Sequence, residues 1–199
     1  MKIAIISDIH ENVHNLALFF EEIQHRGGGE NIEKIIFLWD FINNGIAKLL
    51  ANSPIPVYAI RGNNDGERVA ITKTSLMEGS NLELWFDTFD SLTIDGRNIF
   101  ITHYPMLAKP MARSGDFDAV FYGHDHKYNK ETNNSCLIIN PWEISAHKTT
   151  CASFAIYDTQ TNEGEIVILK NSISTRTETA ETFISNNNLK YGTSKSHQY

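Results

Sequence analysis

Five short apolar runs, each ending abruptly in residues that turn the chain or bind metals, constrain this sequence more than any other feature. The run at 3–6 precedes Ser7-Asp8, that at 35–38 precedes Trp39-Asp40, and that at 57–60 precedes Arg61-Gly62-Asn63. Later, 99–101 leads into Thr102-His103 and 119–122 into Gly123-His124. Runs of about four residues rich in Ile, Val and Phe read as strands buried on both faces, because a half-exposed strand would alternate with polar residues.

Between the first two runs, Val13, Leu16, Ala17, Phe20 and Ile23 recur at helix-face spacing, with a helix stop expected at Arg26-Gly27-Gly28-Gly29. Strand, helix and strand at this distance imply parallel pairing through a crossover. The second half differs. Asp95-Gly96 separates two apolar-rich segments and signals a tight hairpin. Residues 154–157 and 165–169 read as a further strand pair around the loop 158–164. The expected class is therefore α/β, with mixed sheets and helices outside. Residues 171–199 hold five Ser, five Thr and four Asn, and are expected to be a partly disordered surface tail with a short helix near 178–185.

Composition narrows the function classes. With 17 basic against 24 acidic residues the net charge is −7, which excludes a broad electrostatic grip on nucleic acid. Two cysteines, Cys136 and Cys151, make no disulfide framework. The apolar start at 3–6 is too short for a signal peptide or a membrane span, so a cytoplasmic protein with no membrane association is expected.

The chemistry lies beyond the strand ends: Asp8-Ile9-His10, Asp40, Gly62-Asn63-Asn64-Asp65, His103 and Gly123-His124-Asp125-His126. Residues just past strand carboxyl ends of an α/β fold share one crevice, so positions 8 to 126 can meet. Each piece alone has a plain structural reading: a helix N-cap at Asp8, a turn at 62–65, one face of a strand for His124 and His126. Together they supply two Asp, one Asn and four His without a thiolate. That donor set suits Mn, Fe, Zn or Ni, and seven ligands suit two ions sharing a carboxylate. Such a pair holds a hydroxide and clamps the oxygens of a displacement at phosphorus, giving an acidic protein a local attraction for phosphate.

The ordered motifs Ser-Asp-Ile-His, Gly-Asn-Asn-Asp, Thr-His and Gly-His-Asp-His, with Asn140-Pro141 after the segment 137–139, resemble the calcineurin-like metallophosphoesterase superfamily. The resemblance is to its small single-domain branch of YfcE-type phosphodiesterases and the retromer subunit of the same fold. It covers about residues 1–170 and implies a four-layer α/β/β/α sandwich of two mixed sheets, with 171–199 outside the domain. It further implies that Asp8, His10, Asp40 and His126 surround a first metal, while Asp40, Asn63, His103 and His124 hold a second, Asp40 bridging. Asp40, Asn63 and His103 would then carry the catalytic centre, with manganese the expected ion. Asn12, Arg61 and Asn64 are candidate substrate contacts, and Asp65 and Asp125 candidate groups that orient ligands.

Departures from the pattern matter. Trp39 stands where Gly is usual before the bridging Asp, and its bulk must fit beside the metals. Asn64 stands where many members carry the His that protonates the leaving group, and an amide cannot act as a general acid. Tyr104, Trp142-Glu143 and Glu11 replace small residues and are expected to narrow the mouth or face solvent, the acids disfavouring highly charged monoesters. The implied activity is hydrolysis of a small phosphodiester by a metal-bridging hydroxide. A phosphomonoesterase or nucleotide phosphatase is the alternative within the class, a partner-binding scaffold the alternative outside it. A homo-oligomer stays open.

Overall fold

The computed structural model describes residues 1–25 and 31–187. The expected helix stop at 26–29 and the tail beyond 187 lie outside the described residues.

Burial on both faces shapes the first strand. Ile3 and Ile5 enter a cluster with Ile36, Leu38, Ile101 and Phe121, whereas Ala4 and Ile6 enter another with Leu16 and Phe19. Each fully buried Ile contributes about 2–3 kcal/mol of transfer free energy, so a four-residue run suffices to fix the strand. This strand, β1 (Lys2–Ile6), lies parallel to β2 (Ile32–Phe37), followed by β3 (Val57–Ala59) and β4 (Leu82–Leu84). The connecting segments carry α1 (Val13–His25), α2 (Asn44–Ala51) and α3 (Arg68–Ser75).

The second sheet is β5 (Phe89–Ile94), β6 (Arg97–Thr102), β7 (Ala119–Tyr122), β8 (Tyr128–Asn133) and β9 (Cys136–Pro141), in the order β5-β6-β7-β9-β8. β5 and β6 form the hairpin expected at Asp95-Gly96, whose φ values of 51° and 78° fit a tight left-handed turn. The central pairs β6–β7 and β7–β9 are parallel and the outer pairs antiparallel. β10 (Ser153–Asp158) and β11 (Glu163–Ile168) then return to the first sheet, giving the order β11-β10-β1-β2-β3-β4.

The two sheets pack face to face through the Ile3–Ile36–Ile101–Phe121 cluster. Helices α1 and α2 cover the outer face of the first sheet, and α4 (Pro105–Ser114) covers that of the second through Ala108 and Ala112 against Val120 and Ile138. The architecture is the four-layer α/β/β/α sandwich of two mixed sheets. No helix among the described residues is long and apolar enough to cross a membrane.

Residues 171–187 fold back on the α1/α2 layer. The helix expected near 178–185 is α5 (Ala180–Asn186), capped by Thr179 Oγ1, which accepts from the Thr182 N–H at 3.2 Å. Ala180 is fully buried beside Gly45, where a Cβ would lie 2.5 Å from that of Ala180.

Candidate metal centre

The strand ends bring all seven expected ligands into one crevice. β1 delivers Asp8, fully buried, and the turn after it delivers His10. Asp8 Oδ2 is occupied by the Ser7 hydroxyl at 2.5 Å and the His124 N–H at 3.0 Å. Its Oδ1 is buried with no hydrogen-bond partner, 3.4 Å from His126 Nε2 and 3.6 Å from His10 Nε2. Those two ring nitrogens lie 3.3 Å apart.

Asp40 links this group to a second. Its Oδ2 is 3.8 Å from His10 Nε2, and its Oδ1 is 3.7 Å from His103 Nε2. His103 Nε2 in turn lies 2.9 Å from Asn63 Oδ1 and 3.0 Å from His124 Nδ1. His103 Nδ1 faces the Leu38 carbonyl at 2.8 Å, and a carbonyl can only accept. The proton of a neutral ring therefore sits on Nδ1, leaving an Nε2 lone pair aimed at two oxygen acceptors. A buried carboxylate oxygen with no partner, facing ring nitrogens, is costly, and a divalent cation is a partner that satisfies it. The donors fit metal binding: Asp8, His10 and His126 form one compact group, and Asp8, Asp40 and His103 a second.

Local backbone geometry makes this convergence. Asp8, His10, Trp39, His124 and His126 all have positive φ, between 43° and 81°, a region side chains rarely adopt. Such conformations persist where surrounding bonds over-determine them, and they concentrate at functional sites. Two glycines permit close approach. A Cβ on Gly123 would lie 2.0 Å from Ser7 Oγ, and one on Gly62 would lie 2.2 Å from Trp39 Cδ1 and 2.5 Å from Asp40 Oδ1.

Electrostatics follow burial and proximity. Burial pushes the Asp8 carboxyl up, but His10, His126 and Ser7 overbalance it and hold it below the usual range. Burial, reinforced by the neighbouring ring of His103 and by Lys148, lowers His124 and leaves its nitrogen free to ligate. Asp65 is pushed up to about 7 by burial and by Asp40.

The remaining expected residues fall differently. Asn12 is buried, its amide donating to the Ser145 and Ile173 carbonyls at 2.9 Å each and its Oδ1 accepting from the Asn15 N–H. Arg61 donates to Thr72 Oγ1 at 2.8 Å and lies over the Trp39 ring, with Nη1 buried and unpartnered. Asn64 lies against Asp40, to which its amide donates at 2.8 Å. Asp65 accepts from the Phe41 N–H, and Asp125 accepts from Asn140 Nδ2 at 2.7 Å. Trp39 turns away from the ligands into the core between Phe37 and Phe41, which removes the crowding its bulk suggested. Tyr104 stands edge-on to His103 and His124 at the rim.

Glu143 differs most from expectation. It is fully buried behind His126 and accepts from His126 Nδ1 at 2.6 Å. Burial pushes its carboxyl up, yet the bonds from His126, Ser145 and Thr149 prevail and hold it at about 2. Glu11 accepts from Asn43 Nδ2 and from Arg176 at 3.0 Å, so neither acid is a free charge at the mouth. An acid in the apolar sequence Pro-Trp-Glu-Ile was the available signal for a buried, bonded carboxylate.

Comparison with known proteins shows the family of this fold. A calcineurin-like phosphoesterase superfamily domain matches residues 1–162. The chain belongs to that superfamily. Phosphodiesterase MJ0936 of Methanocaldococcus jannaschii is 33% identical over 172 residues, which cover 85% of this chain and 100% of that protein. A solved archaeal phosphodiesterase matches with a TM-score of 0.75 and 32% identity, over 85% of this chain and 100% of that one. Zinc-bound Vps29 of Entamoeba histolytica shares the fold at a TM-score of 0.57 and 15% identity, with 85% and 100% covered. This phosphoesterase domain thus presents candidate ligand groups at the carboxyl ends of its strands.

Proposed function

We propose that the protein is a dinuclear-metal phosphodiesterase acting on a small phosphorylated substrate. The observation that carries this reading is Asp40, whose two oxygens face two separate nitrogen clusters. The archaeal relative named a phosphodiesterase supports the diester preference. Asp8, His10, His126 and Asp40 would hold one divalent ion; Asp40, Asn63, His103 and His124 would hold the other, manganese being the expected metal. When bound, such a pair supplies a hydroxide nucleophile and charge stabilisation for the phosphoryl oxygens.

The chain's own residues set what else the site can do. The Asn64 amide donates to Asp40 and has no proton to give a leaving group, so departure depends on the acidity of that group. Tyr104 walls the His103–His124 side. A cytoplasmic location accords with the two thiols, which are free.

The test is hydrolysis of bis-p-nitrophenyl phosphate by metal-stripped protein before and after manganese addition, with Asp40→Asn and the monoester p-nitrophenyl phosphate alongside. Manganese-dependent diester turnover that disappears in Asp40→Asn is expected. Preference for the monoester would make it a phosphomonoesterase. No turnover with manganese, nickel or zinc would leave a partner-binding scaffold.

A further inference from the structure

Glu143 has no counterpart among the motifs that define the site, yet six hydrogen bonds converge on its carboxylate. Oε2 accepts from His126 Nδ1 at 2.6 Å, from the Ser145 hydroxyl, and from the His147 N–H at 3.1 Å. Oε1 accepts from the Lys148 and Thr149 N–H groups at 3.0 and 2.8 Å, and from Thr149 Oγ1 at 2.6 Å. The loop 145–149 is thereby wrapped around one buried acid whose remaining contact is a ring of the candidate metal centre. Because a carboxylate oxygen accepts, the His126 Nδ1–H···Oε2 direction places the ring proton on Nδ1. The Ser153 N–H bonds the Glu143 carbonyl at 3.0 Å, anchoring the residue to the start of β10.

We propose that Glu143 is the positioning residue for the first metal site: by accepting from Nδ1 it holds His126 with an Nε2 lone pair directed at Asp8 Oδ1 and His10 Nε2. A carboxylate behind a ligating imidazole fixes the tautomer and ring orientation and raises the basicity of the ligating nitrogen. The geometry has each element: an Nδ1 bond at 2.6 Å on one side of the ring, and on the other an Nε2 at 3.4 Å from an unpartnered carboxylate oxygen. The inference rests on the dinuclear reading above, but it concerns one site of the two. The second site has its own support, since the Leu38 carbonyl holds His103 Nδ1.

The test compares wild type, Glu143→Gln and the double variant Ser145→Ala/Thr149→Val. The double variant removes loop bonds to the carboxylate and leaves its bond to His126. Manganese titrations by calorimetry should show two ions per wild-type chain and per double-variant chain. In Glu143→Gln the first site should weaken about 10–100-fold while the second keeps its affinity. Independently of any metal, nitrogen-15 spectra of the His126 ring in stripped protein at pH 8.5 should show a protonated Nδ1 and bare Nε2 in wild type, and mixed tautomers in Glu143→Gln. Equal metal affinities and an unchanged His126 spectrum in Glu143→Gln would overturn the proposal. So would weakening by the double variant equal to that by Glu143→Gln, which would make the acid a loop fastener only. Wild type that bound no metal would defeat the dinuclear reading, while the ring spectra would still decide whether Glu143 sets the tautomer.

Discussion

Asn64 holds Asp40 at both oxygens: its amide donates to Oδ2 at 2.8 Å and its backbone N–H to Oδ1 at 3.1 Å. The residue that many relatives would use on the leaving group instead steadies the carboxylate between the two ligand groups. Asn64→Ala should weaken metal binding about 10-fold, the low end for an outer partner, since the backbone bond survives. For the wild type, turnover of aryl diesters should exceed that of alkyl diesters by orders of magnitude, because only an acidic alcohol departs unprotonated. Comparable kcat/KM values on the two classes would remove the leaving-group argument.

Gly62 and Trp39 form a matched pair. A Cβ at 62 would meet the indole at 2.2 Å and Asp40 at 2.5 Å. Gly62→Ala should therefore destabilise the protein by about 1–3 kcal/mol and weaken metal binding, as overpacking of a fixed site does. Trp39→Ala should cost about 3–5 kcal/mol, because the buried ring leaves a cavity between Phe37 and Phe41. In the double variant the two costs should fall short of their sum, measured by urea denaturation. Strict additivity would show that the contact does not govern the cost.

Metal removal should be visible in stability as well as in rate. Chelation leaves Asp8 Oδ1 and the facing ring nitrogens without a cation, and manganese at 100 times its dissociation constant should restore about 2.7 kcal/mol. For a chain of this size that corresponds to a rise in Tm of roughly 5–10 °C. A Tm indifferent to manganese would argue against a centre built on these donors.

Tyr157 gives an alkaline signature. Its ring is fully buried and its hydroxyl donates to Asn162 Oδ1 at 2.7 Å; burial, with Asp118 and Cys136, pushes its pKa up from 10.0 to about 12. The folded state thus keeps this proton longer than the unfolded chain. Its contribution is complete below pH 10 and is lost as pH rises toward 12, on the order of 2–3 kcal/mol in all. Tyr157→Phe should cost about 1 kcal/mol at pH 8 through the lost hydrogen bond and should flatten the loss above pH 10. An unchanged alkaline slope would show that other groups dominate it.

The candidate ligand positions were legible because each follows a strand buried on both faces, where the apolar run and the polar break stand out. The hairpin at Asp95-Gly96 was legible from turn chemistry. Strand β8 was not: Tyr128–Asn133 alternates exposed and half-buried positions and carries Asn, Lys and Glu, so its pairing with β9 comes from the sheet rather than from its own residues. Strand β4, three residues long, gave too little pattern to read. The partners of Asn12, Glu11 and Glu143 were hidden for another reason. They are Ile173, Arg176 and His126, and the first two lie more than 150 positions from the side chains they bond, beyond the range of local motifs.

That long-range bracing has a consequence for how the molecule matures. Asp8 and His10 are made well before their braces: the Asp8 carbonyl waits for the Ser145 N–H, and Asn12 and Asn15 both wait for Ile173. The cradle proposed for the first ion is therefore unfinished until residue 173 has been made. Until then Asp8 and His10 lack these braces and stay open to chaperones and stray metals.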